Sequence, residues 1–317
     1  MRILRRLRTP FFASTERSAP NVLNRDLNRD LNRDLSPMHA GSQPTQQASS
    51  PGVFQAIRSA LFYLFQLLTV APFSLLCLVW APLPLHWRYR LTILWPRLMI
   101  WGAKVLCGVR WEVRGWENLP DQPVVLLSKH QSTWETMFFI AHMPRELVFV
   151  FKRELLRLPF FGWGIGLLKM ISIDRSQGRD AFEQVVTQGT RKLEEGRWPI
   201  LFPEGTRTSP GEQGRYKSGG ARLAVRAGVP VVPIAVNSGD CWPRGRMLHP
   251  GLVTVSIGIP IATTGKTPDG VTREVEAWIE TEMRQLSPAR YSEPWSPATS
   301  AAAIRRERAS RAIESSN

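Results

Sequence analysis

The chain has 317 residues, of which 43% are hydrophobic, with a net charge of +15 at pH 7 and a pI near 10.7. Such a basic chain needs anionic partners, and it has no recognition module for nucleic acid, which leaves anionic lipid and phosphorylated ligands as the favoured class. The three cysteines (Cys77, Cys107, Cys241) lack metal-ligand spacing, so we expect reduced thiols and no metal site.

Residues 1–50 are rich in Ser, Gln, Pro and Arg, a composition that predicts a disordered N-terminal extension. The tetrapeptide Asn-Arg-Asp-Leu repeats three times in tandem from Asn24 to Leu35, a period too short for a repeat fold. We expect translation to start at Met38, which would leave the repeat outside the protein. An intact mass that includes earlier residues would contradict this.

Residues 51–111 are predicted to associate with a membrane. No charged residue occurs from Ser59 to Leu85, and ~20 apolar residues suffice to cross a bilayer, although Pro72 is expected to interrupt the helix. Leu91 to Val109 carries two basic residues and two tryptophans, which is typical of an interface. We expect a membrane-embedded helical pair, either one span with an interfacial helix or a re-entrant hairpin. The alternative is a buried core helix.

The charges around these segments predict an orientation. Only Arg58 lies close before the first apolar segment, whereas several basic residues follow it: Arg88, Arg90, Arg97, Lys104 and Arg110. The positive-inside rule then places the remaining domain in the cytoplasm. A cleavable signal peptide is not expected, because the apolar segment is long and starts far from residue 1.

From residue 112 to 286 the pattern alternates between strands and helices, which predicts an α/β fold with a mixed sheet flanked by helices. Strands are expected near residues 123–128, 147–151, 171–174, 198–202, 230–236 and 252–258. Helices are expected near residues 133–142, 179–195, 219–227 and 270–285. The tail, residues 287–317, is expected to be a mobile arm or a surface helix that touches lipid.

The first motif with chemical potential is Lys-His-Gln-Ser-Thr-Trp-Glu, residues 129–135, which follows a buried strand. Residues five apart lie roughly 140° apart around a helix, so His130 and Glu135 meet only if His130 lies in the turn before the helix. Ser132 is the expected N-cap, and Glu135 has the capping-box spacing. We predict that His130 is a general base and that Glu135 orients its ring. Alternatively, Glu135 only closes the capping box.

The second motif is Phe-Pro-Glu-Gly-Thr-Arg, residues 202–207, which also follows an apolar run. Gly205 lets the backbone approach a ligand, and Arg207 offers a fork of donors that matches a phosphate. Glu204 is assigned to a ligand hydroxyl or to the orientation of Arg207, because a carboxylate repels phosphate. The alternative is a tight turn with a surface arginine.

Three further basic residues are candidates for the same anion. Lys152 and Arg153 follow an apolar strand, where they would extend the phosphate site or face a membrane surface. Lys217 follows the second motif closely, as an anion contact or a solvated loop residue.

Four blocks resemble, in order, the glycerophospholipid acyltransferase family, in particular its bacterial 1-acyl-glycerol-3-phosphate acyltransferases. They are residues 130–135, residues 151–155 with 158–163, residues 202–207, and residues 232–234, within roughly residues 90–265. The resemblance implies that Glu204, Gly205, Thr206 and Arg207 bind glycerol phosphate. It also implies a place in that site for Lys152 and Arg153. Glu135 stands where the family usually has Asp.

The expected activity is acyl transfer from a thioester to the sn-2 hydroxyl of lysophosphatidic acid, giving phosphatidic acid. The expected donor is coenzyme A thioester or acyl carrier protein, with no other cofactor, at a bacterial inner membrane with the catalytic domain facing the cytoplasm. Another lyso-lipid or glycerol 3-phosphate is the alternative acceptor. The alternative class is a non-catalytic membrane scaffold with the same fold. Glu135, in place of the family's Asp, would then indicate decay of the catalytic site. No Gly-x-Ser-x-Gly elbow supports a serine hydrolase.

Overall fold

The computed structural model describes residues 52–157, 161–173, 179–245, 247–297 and 300. The expectations for residues 1–50, for Met38, for residues 158–160 and for most of the tail lie outside the described residues. The described part belongs to one compact unit that starts at Thr45.

A mixed sheet of seven strands forms the centre of this unit, as the sequence predicts. The strands are β1 (Val109–Arg114), β2 (Val125–Ser128), β3 (Leu147–Lys152), β4 (Ile171–Ile173), β5 (Trp198–Leu201), β6 (Val231–Val236) and β7 (Gly251–Ile257). Their spatial order is β1-β7-β6-β2-β5-β3-β4. Only β6 and β7 pair in antiparallel fashion; the other neighbours are parallel.

Eight α-helices accompany the sheet within the described residues. They are α1 (Val53–Val79), α2 (Leu85–Thr92), α3 (Leu94–Cys107), α4 (Trp134–His142), α5 (Phe161–Leu167), α6 (Arg179–Glu194), α7 (Gly219–Ala227) and α8 (Pro268–Leu286). The six strands and four helices expected in the α/β region are present, with ends within two residues of their predicted positions.

The sequence patterns did not predict two of the observed elements, β1 and α5. Strand β1 alternates apolar residues with Arg110, Glu112 and Arg114, as an edge strand does. The domain boundary expected between residues 111 and 112 falls inside it. Helix α5 contains three glycines in seven residues, so its intrinsic helix propensity is low.

The central strands are covered on both faces, which explains their continuous apolar sequence. Every residue of β2 and β6 is buried. On one face Val124 and Leu126 pack with α3 and α4. On the other, Val125 and Leu127 pack with α7 and α8. The carboxyl end of β2 therefore lies at the centre of the fold.

Helix α1 runs unbroken through Pro72, so the expected interruption is wrong. A proline removes one hydrogen bond from a helix, but packing holds the turns around it. Gly102 of α3 lets the two helices approach, since a Cβ there would lie 2.8 Å from the ring of Phe65. Trp95 also donates a hydrogen bond to Thr69 Oγ1 at 3.2 Å.

The first turns of α1 are bound to α3 and to the α/β domain by hydrogen bonds and an aromatic contact. Ser59 Oγ accepts a hydrogen bond from the backbone N–H of Leu248 at 3.0 Å. The side chain of Arg58 donates to the carbonyl of Leu106. The ring of Phe62 meets Trp242 edge to face at 5.1 Å. Helix α1 is thus a structural part of the domain.

The opposite face of α1 is apolar and exposed. Its exposed side chains include Val53, Phe54, Leu64, Leu67, Leu68, Leu75 and Val79. Among the described residues, α1 is the one helix long and apolar enough to cross a membrane. An apolar face of this size supports membrane association.

The second apolar stretch, Leu91–Val109, covers the end of α2 and the whole of α3, which packs against α1. Helix α3 buries Met99, Ile100, Ala103 and Cys107 and exposes Trp101 and Val105. Three of these residues belong to the main core. Helix α3 therefore pairs with α1 on one side and covers the sheet face beside α4 on the other.

Phe62→Ala should lower the free energy of unfolding by about 3–5 kcal/mol, because it empties a fully buried site against Trp242. Leu67→Ala is the matched control, since Leu67 lies on the same helix and is 67% exposed. Denaturant unfolding in detergent measures both variants. Equal stability of the two would contradict the docking of α1.

Candidate active site

His130 lies in the turn between β2 and α4, at the carboxyl end of a central strand. Helix α4 begins at Trp134 with Thr133 at the N-cap position, so the assignment of Ser132 as N-cap is wrong by one residue. Ser132 Oγ still accepts a hydrogen bond from the backbone N–H of Trp134 at 2.9 Å. Glu135 accepts one from the backbone N–H of Ser132 at 2.8 Å. The capping exchange is therefore present, one position before the helix.

Glu135 is fully buried, and its carboxylate accepts five hydrogen bonds. Oε1 accepts from His130 Nδ1 and from the backbone N–H groups of Gln131 and Ser132, each at 2.8 Å. Oε2 accepts from the hydroxyls of Ser132 and Ser238. The same carboxylate thus closes the turn and makes a hydrogen bond with the histidine ring, so its contacts go beyond the capping box.

These contacts favour the ionised form of Glu135 and select the tautomer of His130. Burial raises the pKa of the Glu135 carboxyl, but the hydrogen bond and charge of His130, with the bonds from Ser238 and Ser132, outweigh it and hold that pKa below its ordinary value. A carboxylate only accepts hydrogen bonds, so Nδ1 of His130 carries the proton. When the ring is neutral, its lone pair is therefore on Nε2, as a general base requires.

The two sequence motifs contact each other around His130. Its ring stacks on Phe202, with centroids 3.8 Å apart and planes 14° apart. Its backbone N–H donates to Glu204 Oε2 at 3.1 Å, and its carbonyl accepts from the backbone N–H of Thr208 at 2.8 Å. The position of the histidine therefore depends on the second motif as well as on its own turn.

The expected contact of Glu204 with a ligand hydroxyl is corrected by the structure. Its side chain is fully buried, and Oε1 accepts hydrogen bonds from Lys129, Thr208 and the backbone of Gly214. Its carboxylate is turned into the protein because Lys129 pairs with it there. Glu204 positions the second motif and His130.

Lys129, beside His130, is also fully buried and joins three parts of the chain. Its ammonium lies 2.7 Å from Glu204 Oε1, 2.8 Å from Glu280 Oε1 on α8, and 3.0 Å from the carbonyl of Glu212. Burial lowers the pKa of Lys129, but Glu204 and Glu280 outweigh it and hold that pKa above its ordinary value. The group stays charged and anchors the turn to α8.

A large apolar cavity of about 730 Å³ adjoins His130. Helix α1 contributes Val70 and Phe73 to its wall, and the sheet contributes Phe149 and Ile200. Its volume and apolar lining match a fatty acyl chain.

A smaller pocket of about 170 Å³ lies beside the same turn. Ser132 and Thr133 line it together with Arg207 and Arg244, and α1 contributes Gln66. Two guanidinium groups give this pocket the charge and the donors that suit an anion.

The candidate residues are distributed between these two spaces. Lys152, Gly205 and Lys217 line the large cavity with His130, whereas Arg207 lines the polar pocket. Thr206 Oγ1 accepts a long contact of 3.4 Å from Arg244. Arg153 is exposed and lines neither space. The expected single phosphate cluster is thus divided.

Sequence reasoning missed the segment after β6, residues 237–244. Ser238 reaches Glu135, Trp242 packs on Phe62 of α1, and Arg244 lines the polar pocket. The available signal was Asn-Ser-Gly-Asp directly after a buried strand, which is where loop residues of an α/β sheet form sites.

The start of the C-terminal tail is bound to this segment. Asp240 accepts hydrogen bonds from Ser287 Oγ at 2.6 Å and from Arg290 Nε at 2.9 Å. The expectation of a mobile arm or a lipid-facing helix is therefore wrong for residues 287–290, because these contacts fix them to the domain.

The amino-acid sequence of this chain is similar to the sequences of known acyltransferases. A family model described as Acyltransferase matches residues 110–237. Over 240 residues the chain is 46% identical to 1-acyl-sn-glycerol-3-phosphate acyltransferase of Pseudomonas aeruginosa, covering 74% of this chain and 93% of the relative. It is 36% identical over 179 residues to the alpha enzyme of Mus musculus, covering 55% of this chain and 63% of the mouse protein.

A solved structure shares the fold. The 1-acyl-sn-glycerophosphate (LPA) acyltransferase PlsC of Thermotoga maritima aligns with a TM-score of 0.62 at 23% identity. The alignment covers 75% of this chain and 98% of that chain. At this identity the likeness is one of fold.

Lys129→Met should lower the free energy of unfolding by about 3–5 kcal/mol, because it leaves buried carboxylates without their cation. Adding Glu280→Gln should restore part of that loss. Lys266→Met is the control, since Lys266 pairs with Glu274 at the surface. Denaturant unfolding of the three proteins is the measurement, and a Lys129 variant as stable as the control would exclude the anchoring role.

Proposed function

We infer that this chain, which belongs to the 1-acyl-sn-glycerol-3-phosphate acyltransferase family, transfers an acyl group from a thioester to the free sn-2 hydroxyl of lysophosphatidic acid. Phosphatidic acid is the product. The observation that carries this function is the placement of the His130–Glu135 pair beside both an apolar cavity and a polar pocket with two arginines.

In the proposed reaction His130 is the general base. Its Nε2 takes the proton of the acceptor hydroxyl as that oxygen attacks the thioester carbonyl. The carbon–sulfur bond then breaks, and the imidazolium returns the proton to the thiolate. Glu135 holds the Nδ1 proton and stabilises the imidazolium. Such a base contributes ~10²–10⁴ in rate, and the thioester needs no further cofactor.

The acyl chain is proposed to lie in the cavity of about 730 Å³ beside His130. Lys152 and Lys217 border that cavity and would meet anionic parts of the donor or the acceptor. Gly205, with φ of +69°, lets the Lys217 side chain pass close to the backbone, since a Cβ there would collide with Lys217 Nζ.

The phosphate of the acceptor is proposed to bind at the polar pocket. Arg207 supplies the main contact, and Arg244 a second guanidinium on the same pocket. Each charge-assisted hydrogen bond contributes about 1.5–3 kcal/mol. Thr206 precedes Arg207 in the chain and contacts Arg244, while Arg153 adds positive charge at the surface for an incoming donor.

The substitution of Glu135 for the family's Asp does not support the idle-scaffold alternative. The longer side chain still reaches His130 at 2.8 Å, and five donors fill its acceptor sites. A decayed site would have no need of a buried carboxylate satisfied in this way.

We place the enzyme at the bacterial inner membrane, with the exposed face of α1 in the lipid and the catalytic domain toward the cytoplasm. The basic residues after α1 support this orientation. Coenzyme A thioesters and acyl carrier protein are both anionic and suit a chain with a net charge of +15. Protease protection in inverted and right-side-out vesicles tests the orientation.

The parent protein in detergent should form phosphatidic acid from lysophosphatidic acid and an acyl thioester, and His130→Ala should reduce kcat by about 10²–10⁴. Product analysis by mass spectrometry is the measurement. No product from folded parent protein with either donor would reject the proposed function.

Glu135 can be tested separately from its capping role. Glu135→Gln keeps most of the turn but removes the charge, so the kcat of this variant should fall about tenfold or more. Glu135→Asp is the comparison variant, because it retains the charge with a shorter reach. Nearly full activity of the Gln variant would reject the orienting carboxylate. Thermal unfolding of both variants checks that the turn is intact.

Arg207→Ala and Arg244→Ala should each raise KM for lysophosphatidic acid by about tenfold or more, because each removes a charged donor from the phosphate. The change in kcat should be small. Arg226→Ala, at an exposed position at the end of α7, is the control. An unchanged KM for either pocket variant removes that arginine from the phosphate site.

A further inference from the structure

Ser238 carries a buried hydroxyl that contacts the partner of His130. It follows β6, and it is fully buried with its Oγ donating to Glu135 Oε2. Its neighbours are fixed on both sides. Asn237 Oδ1 accepts from the backbone N–H of Thr254 at 2.7 Å, and the backbone N–H of Gly239 donates to Gln131 Oε1 at 3.2 Å. The hydroxyl is therefore held in place by the sheet.

The two oxygens of Glu135 have different surroundings. Oε1 accepts three N–H donors from the turn itself, residues 130–132. Oε2 has only hydroxyl donors, from Ser132 and Ser238. Ser132 belongs to the turn itself, so Ser238 is the donor that ties the carboxylate to the segment after β6. Without the hydrogen bond from Ser238, the Glu135 carboxylate has no contact that ties it to the sheet.

We propose that Ser238 is a positioning residue of the acyl transfer, acting through Glu135 to fix the ring of His130 and to moderate its basicity. The inference rests on the proposed function, in which His130 is the base. A hydroxyl that donates to Oε2 draws negative charge away from Oε1. Its removal leaves more charge facing Nδ1, which stabilises the imidazolium and makes His130 lose its proton at higher pH.

The other charged groups around His130 are unchanged by a substitution at Ser238. They are Glu204 at its backbone N–H, Lys129 paired with Glu204, Lys152 and Lys217 along the cavity, and Arg207 on the polar pocket. A change in the titration of His130 in a Ser238 variant therefore comes through Glu135.

The test compares Ser238→Ala with Ser256→Ala. Ser256 is a matched control, because its buried hydroxyl donates to Glu282 at 2.7 Å, away from the site. For Ser238→Ala we expect kcat to fall about tenfold and KM for lysophosphatidic acid to change by less than about twofold, as for the loss of one hydrogen bond to a charged group. The acid limb of the kcat–pH profile should move to higher pH. Ser256→Ala should keep the parent profile.

The position of the acid limb does not depend on the fraction of folded enzyme, so partial unfolding cannot imitate the effect. An NMR titration of the His130 ring, assigned with His130→Ala, reports the same shift without turnover. An unshifted ring and limb in Ser238→Ala, or an equal shift in Ser256→Ala, would overturn the proposal. A parent protein inactive toward lysophosphatidic acid rejects the proposed function, and the ring titration then still decides the role of Ser238.

Discussion

The buried ammonium of Lys129 is the interaction on which the site depends. It compensates two carboxylates, Glu204 and Glu280, that would otherwise be costly to bury. Because Glu204 also holds the backbone of His130, the same charge cluster joins β2, the second motif and α8. His130 is thus fixed by its backbone from one side and by its ring, through Glu135, from the other. Burial makes both contacts strong, since little water competes with them.

This arrangement explains how loops carry a precise site. Residues 129–133, 202–208 and 237–244 all follow the carboxyl ends of β2, β5 and β6, which are neighbours in the sheet. Each loop supplies a hydrogen bond to another loop, so none depends on its own turn alone. The strands set the distances between the three loops, and the loops supply the side chains of the site.

Much of the fold and of the site could be predicted from the sequence, and the exceptions have physical causes. Apolar runs gave the central strands, because buried parallel strands have few alternatives, and turn spacing placed His130 before Glu135. The true contacts of Glu204 could not be read, because its partner Lys129 lies 75 positions away along the chain. Nor could those of Ser238, which reaches Glu135 from 103 positions away. Local patterns carry no information about such distant pairs.

Helix α1 has a consequence for the handling of the protein. Membrane anchors are commonly removed to obtain a soluble domain, but here Val70 and Phe73 of α1 line the large cavity and Phe62 covers Trp242. A chain cut before α3 would lose a wall of its cavity and expose its core. The exposed apolar face and one wall of the large cavity thus belong to the same helix, so removing that helix removes both.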